Sequence, residues 1–422
     1  MPAAAVVRQA GLTRASLAGL TRTSLAAMDA ADPLAHARAR FALPGGVIYL
    51  DGNSLGALPA AAPAAIADAA VRQWGGGLVR SWNDAGWIDL PVTLGASIAP
   101  LLGAEPGAVV ACDSVSVNLF KLAGAALALR PGRRVIVCEA DDFPTDRYVL
   151  EGLAVLAGAR VRAVRRADLL AALDAETALL VLTHAHYVTG DVHDMAAMTA
   201  AAHAAGALTL WDLSHAAGAL ALHLDRDGAD FAVGCGYKYL NGGPGAPAFA
   251  YVARRHWGDF APPLRGWMGH AAPFDFAPGW VPAPGTRRLL AGTPPILAMA
   301  ALAAGVATFG GVDMAVAEAK SAALVRIFAE LTSALPDIAA ETLAARHGCQ
   351  LVLHHPHGRR VMAALIARGV IGDFRPPDRM RFGFPALYTR FVDAWDASAA
   401  LAAVLASGEW QDARFDTLGT VS

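Results

Sequence analysis

The stretch Thr209–Gly245, TLWDLSHAAGALALHLDRDGADFAVGCGYKYLNGGPG, decides the fold. An apolar run ends at Asp212, a connection follows, and a second apolar run closes on Gly234-Cys235-Gly236-Tyr237-Lys238. Both runs read as buried strands with their polar residues at the ends. In an open α/β sheet, ligands bind at the carboxyl ends of the strands, so Asp212 and Lys238 are expected to face one crevice from two strands.

A lysine that follows a buried strand is costly unless its charge is suppressed or used, and the neutral amine is a nucleophile able to form a Schiff base with an aldehyde. Pyridoxal phosphate is such an aldehyde. Its ring nitrogen needs a carboxylate to stay protonated, the role that falls to Asp212. Read singly, Asp212 is equally a helix cap and Lys238 a solvated strand terminus. The pair, with His215 and the glycine-rich LNGGPG, favours the cofactor reading.

From Asp212 through Ser214-His215 to Tyr237-Lys238-Tyr239-Leu240-Asn241-Gly242-Gly243-Pro244-Gly245 the chain resembles kynureninase, a pyridoxal-phosphate enzyme of fold type I. The likeness continues through YLDGNSLG (49–56), SVSVNLFK (114–121), DFPTDRY (142–148), RGWMGH (265–270), GTPPIL (292–297) and RFGFPALYTRF (381–391), leaving only the first few tens of residues outside. It implies an α/β large domain with a mostly parallel central sheet covered by helices on both faces, plus a smaller α+β C-terminal domain. Residues 1–48 are then an N-terminal extension and arm, 49–297 the cofactor-binding domain and 298–422 the small domain. The implied activity is hydrolysis of L-kynurenine to anthranilate and L-alanine, a step of tryptophan catabolism.

Composition sets bounds around that reading. At 422 residues, 55% hydrophobic and 17% charged, the chain can bury a large core and one smaller companion. No apolar run reaches the roughly 18 to 20 uninterrupted residues that span a bilayer, so a membrane protein is not expected. A net charge of −2 without a basic stripe gives no reason to bind nucleic acid. Cys112, Cys138, Cys235 and Cys349 form no CxxC pair, and a reducing, cytoplasmic compartment is inferred. Residues 1 to about 30 carry Arg8, Arg14 and Arg22 and no acid before Asp29; the composition resembles a transit peptide, with a loose alanine-rich tail as the other reading.

Further candidates follow the chain. Asn53 and Ser54 lie in a turn that the resemblance places near the substrate, or simply cap a helix. Trp74, Trp82 and Trp87 are either core or the lining of an aromatic substrate's pocket. Ser114, Val115 and Ser116 open a long apolar helix, whose N-terminus binds phosphate or carries an ordinary serine cap. No GxGxxG and no P-loop lysine supports a dinucleotide or ATP site.

The resemblance stacks Phe143 on the cofactor ring and sets Asp146 beside its polar edge, with core and helix-cap readings as alternatives. His184, His186 and His193 lack an accompanying ligand motif, and no metal is expected; Tyr187–Gly190 reads as a loop at the rim of the site. Pro247–Val252 reads as an edge strand, and short strands are expected at Gln350–Leu353 and Arg379–Gly383. The resemblance also makes Tyr237 a proton relay, sets His215 against the ring to orient Asp212, with a core histidine satisfied by a backbone carbonyl as the other reading, and gives the substrate carboxylate to Arg381. It sends Trp267 and Thr293 into a neighbouring subunit's site, implying a homodimer. A cysteine desulfurase of the same fold would need a mobile catalytic cysteine, and none of the four stands in a polar loop.

Overall fold

The computed structural model describes residues 19–416. Its larger core is built on seven strands: β1 (Val109–Ala111), β2 (Val135–Glu139), β3 (Arg160–Val164), β4 (Thr177–Thr183), β5 (Leu208–Asp212), β6 (Phe231–Gly234) and β7 (Phe249–Val252). They lie in the order β1-β7-β6-β5-β4-β2-β3. The five strands from β6 to β3 are parallel, and β7 is antiparallel to both neighbours. Alternate residues feed two different cores. On β2, Val135 and Val137 join one, while Ile136 and Cys138 join the other, because successive side chains of a strand point to opposite faces. Continuous apolar runs such as TALLVLT follow from burial on both faces.

The edge-strand reading of Pro247–Val252 is corrected: β7 is interior, and β1 forms that edge. Pro247 precedes the strand, which begins at Phe249, so its missing N–H removes no ladder bond.

Helix α1 (Arg22–Ala30) precedes the sheet; α2 (Val115–Leu129) follows β1 and α3 (Pro144–Ala157) follows β2. Ser114 caps α2 by accepting from the Val117 amide, and Pro144 starts α3 where its fixed φ suits a first turn. Helix α4 (Ile296–Ala307), given by sequence to the small domain, buries Met299, Leu302 and Val306 in the larger core.

A second core gathers α5 (Met314–Thr332), β8 (Gln350–His354), β9 (Asp373–Arg375), β10 (Arg379–Gly383) and α6 (Phe391–Ser407). Leu25 of α1 is fully buried in it. Asp29 accepts from the Phe391 and Val392 amides at 2.6 and 3.0 Å, satisfying free donors at the N-terminus of α6. The expected loose tail is thus corrected for residues 22–30, which form a packed helix; residues 1–18 of that tail lie outside the described residues. Among the described residues no helix is long and apolar enough to cross a membrane.

Candidate active site

Parallel pairing sets the site. Thr183 at the end of β4 is in register with Asp212 at the end of β5, and Asp212 with Val233 near the end of β6. Lys238 lies four residues beyond β6, and all these ends open on a cavity of about 210 Å³. Its walls include Val115 and Ser116 from the start of α2, Phe143 and Asp146 from the start of α3, Asp212, His215, Tyr237 and Lys238. These eight, all singled out by sequence, therefore meet in one place.

Charge within the cavity is unbalanced. Asp212 is buried and accepts from the Ser214 amide at 2.7 Å. Asp146 stands in the first turn of α3, and its Oδ1 has no partner. Burial, then the charges of Asp212 and Asp142, push the Asp146 carboxyl well above the usual range. Asp142, holding the Thr183 amide at 3.0 Å, is raised to about 7 chiefly by burial. Such a cluster calls for a cation, and a protonated pyridine nitrogen is one. At the other wall, α2 offers the unpaired amides of its first turn and the positive end of its dipole to a phosphate. Phe143, in edge-to-face contact with Tyr187 at 5.4 Å, supplies an aromatic surface beside Lys238, whose Nζ lies 6.0 Å from its ring centre. These residues fit pyridoxal phosphate: a carboxylate for the ring nitrogen, a helix N-terminus for the phosphate and an amine for the aldehyde.

His215 departs from expectation. Its Nε2 lies 2.8 Å from Lys238 Nζ and its Nδ1 3.2 Å from Gln350 Oε1, so it is engaged by the lysine and not by Asp212. The reading that His215 orients Asp212 is corrected; the aspartate takes its bond from the turn that follows it, which the backbone amide of Ser214 reaches first. Burial, then the Lys238 charge, hold the imidazole well below its ordinary pKa, so it is neutral. The Tyr237 hydroxyl is raised by burial and stays protonated.

Other candidates stand apart from the cavity. Arg381 is buried, with its Nε and Nη2 on Asp373, Nη2 also on Ser54 Oγ at 3.0 Å and Nη1 on the Tyr187 carbonyl at 2.5 Å. Four of its five N–H donors are thereby engaged. Asn53 is fully buried with its amide unpaired. Trp267 and Thr293 do not line the cavity of their own chain; Trp267 packs with Phe274 and Phe276 on an exposed aromatic surface. Trp82 and Trp87 meet edge-to-face at 5.7 Å, Trp74 is exposed, and none of the three reaches the cavity. The three histidines diverge: His186 bonds the Asp141 carbonyl, His193 bonds Glu139, and His184 is buried without a partner. Among the described residues no group of three or more His, Cys, Asp or Glu is placed to hold a metal.

Tyr187, placed by sequence at the rim of the site, lines the cavity, whereas Thr183 and Gln350 were missing from the sequence-based set. Thr183 ends an apolar run just as Asp212 does, so the strand-end rule could have found it. Gln350 had no such signal, being 135 residues from His215 and on the other core.

The likeness to known proteins agrees with this geometry. Residues 317–401 match the family described as the kynureninase C-terminal domain. Kynureninase of Burkholderia pseudomallei (strain K96243) is 49% identical over 408 residues, covering 94% of this chain and 98% of the relative. Kynureninase of Deinococcus radiodurans is 49% identical over 390 residues, covering 90% and 95%. Among solved structures, the cysteine desulfurase of Thermococcus onnurineus NA1 superposes with a TM-score of 0.75 at 18% identity, covering 88% of this chain and 98% of its own. A C-DES variant with glycine covalently linked to its PLP cofactor gives 0.74 at 19% identity, covering 86% and 98%. At that identity the structures establish the fold. With nearly half of all positions shared along almost its full length, this chain belongs to the kynureninase family, as a pyridoxal-phosphate-dependent hydrolase of fold type I.

Proposed function

We propose that this chain performs the family's hydrolysis of L-kynurenine to anthranilate and L-alanine with the following division of labour. Pyridoxal phosphate, when bound, supplies an electron sink for charge developing at the substrate Cα. Lys238 would hold the cofactor through its aldehyde, and its amine, when free, is the general base that would take the substrate Cα proton. Asp212 holds the proton on the ring nitrogen, with Asp146 beside it. Val115 and Ser116 receive the phosphate at the helix N-terminus, and Phe143 covers the ring face. Tyr237, kept protonated by burial, moves a proton as the γ-carbonyl is hydrated and the Cβ–Cγ bond breaks.

Arg381 receives the substrate α-carboxylate. Asp373 and Ser54 hold its guanidinium in place, and the N–H groups of Nη1 are the ones available for exchange with the Tyr187 carbonyl. Asn53, buried with an unpaired amide, is the second polar group at that end. Trp267 and Thr293 reach the site of a second copy in a homodimer, and the enzyme works in the cytoplasm.

The observation that carries the reading is the convergence of Lys238, Asp212 and the α2 N-terminus on one cavity. A desulfurase is disfavoured because all four cysteines are buried, with Cys112, Cys138 and Cys349 raised to about 12 by burial. Incubation of cofactor-loaded protein with L-kynurenine tests it: anthranilate and alanine in equal amounts are expected, and release of neither would refute it.

A further inference from the structure

We propose that Gln350, from the smaller core, is a positioning residue that fixes the tautomer of His215 and thereby keeps the lone pair of the Lys238 amine free. This rests on the reading of Lys238 as the residue that captures the cofactor.

The orientation of the Gln350 amide is set by its surroundings. Its Nε2 faces the carbonyls of His186, Tyr187 and Val188 at 3.1, 2.8 and 3.0 Å. All three are acceptors, so the nitrogen must occupy that side and Oε1 must face His215 Nδ1 at 3.2 Å. A carbonyl oxygen only accepts, which places the imidazole proton on Nδ1. A neutral imidazole has one N–H, so Nε2 is bare and accepts from Lys238 Nζ at 2.8 Å.

The consequence lies at the lysine. Once the lysine has given up its charge, an amine that donates to the imidazole through a remaining N–H retains its lone pair, the electrons that attack an aldehyde carbon. With the proton on Nε2 instead, the imidazole would donate to that lone pair and occupy it. The tautomer therefore decides whether Lys238 is free to react, and Gln350 decides the tautomer. Close approach of the two cores is built in at Gly190, whose φ is +75°; a Cβ there would lie 3.3 Å from the Gln350 Cγ, tighter than such contacts normally are. The Gly348 amide also donates to the Gly190 carbonyl at 2.7 Å, joining the strand that carries Gln350 to the loop it braces.

The test uses full-length protein freed of cofactor, with two readouts. Nitrogen-15 NMR of labelled histidine reports which nitrogen of His215 carries the proton. The second is the rate at which added pyridoxal phosphate becomes fixable to Lys238 by borohydride, followed by peptide mass spectrometry. Wild-type protein should show the proton on Nδ1. Gln350→Met, close in size but unable to accept, should bring in the Nε2–H form and slow capture by about tenfold, the effect of one hydrogen bond, with the same final extent of labelling. Gln350→Glu keeps an acceptor facing Nδ1 and should retain the wild-type tautomer and a capture rate within about twofold, even if losing its contacts to the loop carbonyls lowers Tm. A wild-type proton on Nε2, capture by Gln350→Met at the wild-type rate, or slowed capture in Gln350→Glu overturns the proposal. Label on a different lysine in wild-type protein overturns instead the assignment of Lys238, so the two failures are distinguishable.

Discussion

Lys238 Nζ and His215 Nε2 lie 2.8 Å apart, a contact between a residue beyond β6 and one in the turn after β5. The amine is thus held at the mouth of two adjacent parallel strands, with Asp212 at the end of one of them. On the proposed reading Lys238 is the lysine that carries the cofactor aldehyde. Borohydride reduction of loaded protein followed by peptide mapping should mark Lys238, and Lys238→Ala should abolish both label and turnover.

Asp212→Asn retains shape and removes the charge that keeps a ring nitrogen protonated in a site of low effective dielectric. A fall in kcat of about 10²- to 10³-fold is expected, the scale seen when one preorganised electrostatic partner is removed. Steady-state kinetics at saturating cofactor check it; near wild-type turnover would assign the ring nitrogen to another acid.

Arg381→Lys keeps the charge but loses the planar fork that matches a carboxylate. A charge-assisted hydrogen bond contributes about 1.5 to 3 kcal/mol, so kcat/KM should fall roughly ten- to a hundred-fold. The bidentate hold of Asp373 on this guanidinium offers a contrast, that Arg381 serves structure alone. A lowered Tm with unchanged kcat/KM would select that alternative.

Trp267 and Thr293, absent from the walls of their own chain's cavity, are expected to complete the site of a partner. Mixing Lys238→Ala and Trp267→Ala chains should regenerate one intact site per mixed dimer and restore activity. Thr293 offers only a short hydroxyl and Ser81–Gly86 holds no histidine; an added ring hydroxyl left unpaired between them costs about 1 to 3 kcal/mol. L-kynurenine should therefore exceed 3-hydroxykynurenine in kcat/KM by roughly ten- to a hundred-fold.

Stability should depend on pH through Asp51, whose carboxyl is pushed up to about 7, chiefly by burial and then by the charge of Asp373. The folded protein holds a proton here that the unfolded chain releases near pH 4, so stability falls as pH rises from about 4 to 7. Asp51→Asn has no proton to lose, and the decline of Tm across that window should become shallower. An unchanged slope would show that Asp51 ionises normally in the folded state.

Much of this protein was legible in the sequence because strand ends are local features. Apolar runs closing on Asp212 and on Gly234 to Lys238 pointed to the α/β class and to pyridoxal phosphate, and Ser114 with the helix that follows it to the proposed phosphate end. The edge assignment of Pro247–Val252 failed because strand neighbours are chosen by the whole sheet, and a proline just outside a strand leaves the ladder intact. The loose-tail reading of residues 22–30 failed because Leu25 finds burial and Asp29 finds two amide donors only on a helix more than 350 positions further along. The sequence by itself determined the α/β class and marked Lys238, Asp212 and the Ser114 helix start as candidates for the cofactor, since a nucleophilic amine, a carboxylate and a helix N-terminus are properties of residue type and local pattern. Only the tertiary structure decided that His215 answers to Lys238 and Gln350, and that Asp373 and the Tyr187 carbonyl hold Arg381. Those contacts join two separate cores, and hydrogen-bond direction depends on distances of about 3 Å that no local pattern encodes.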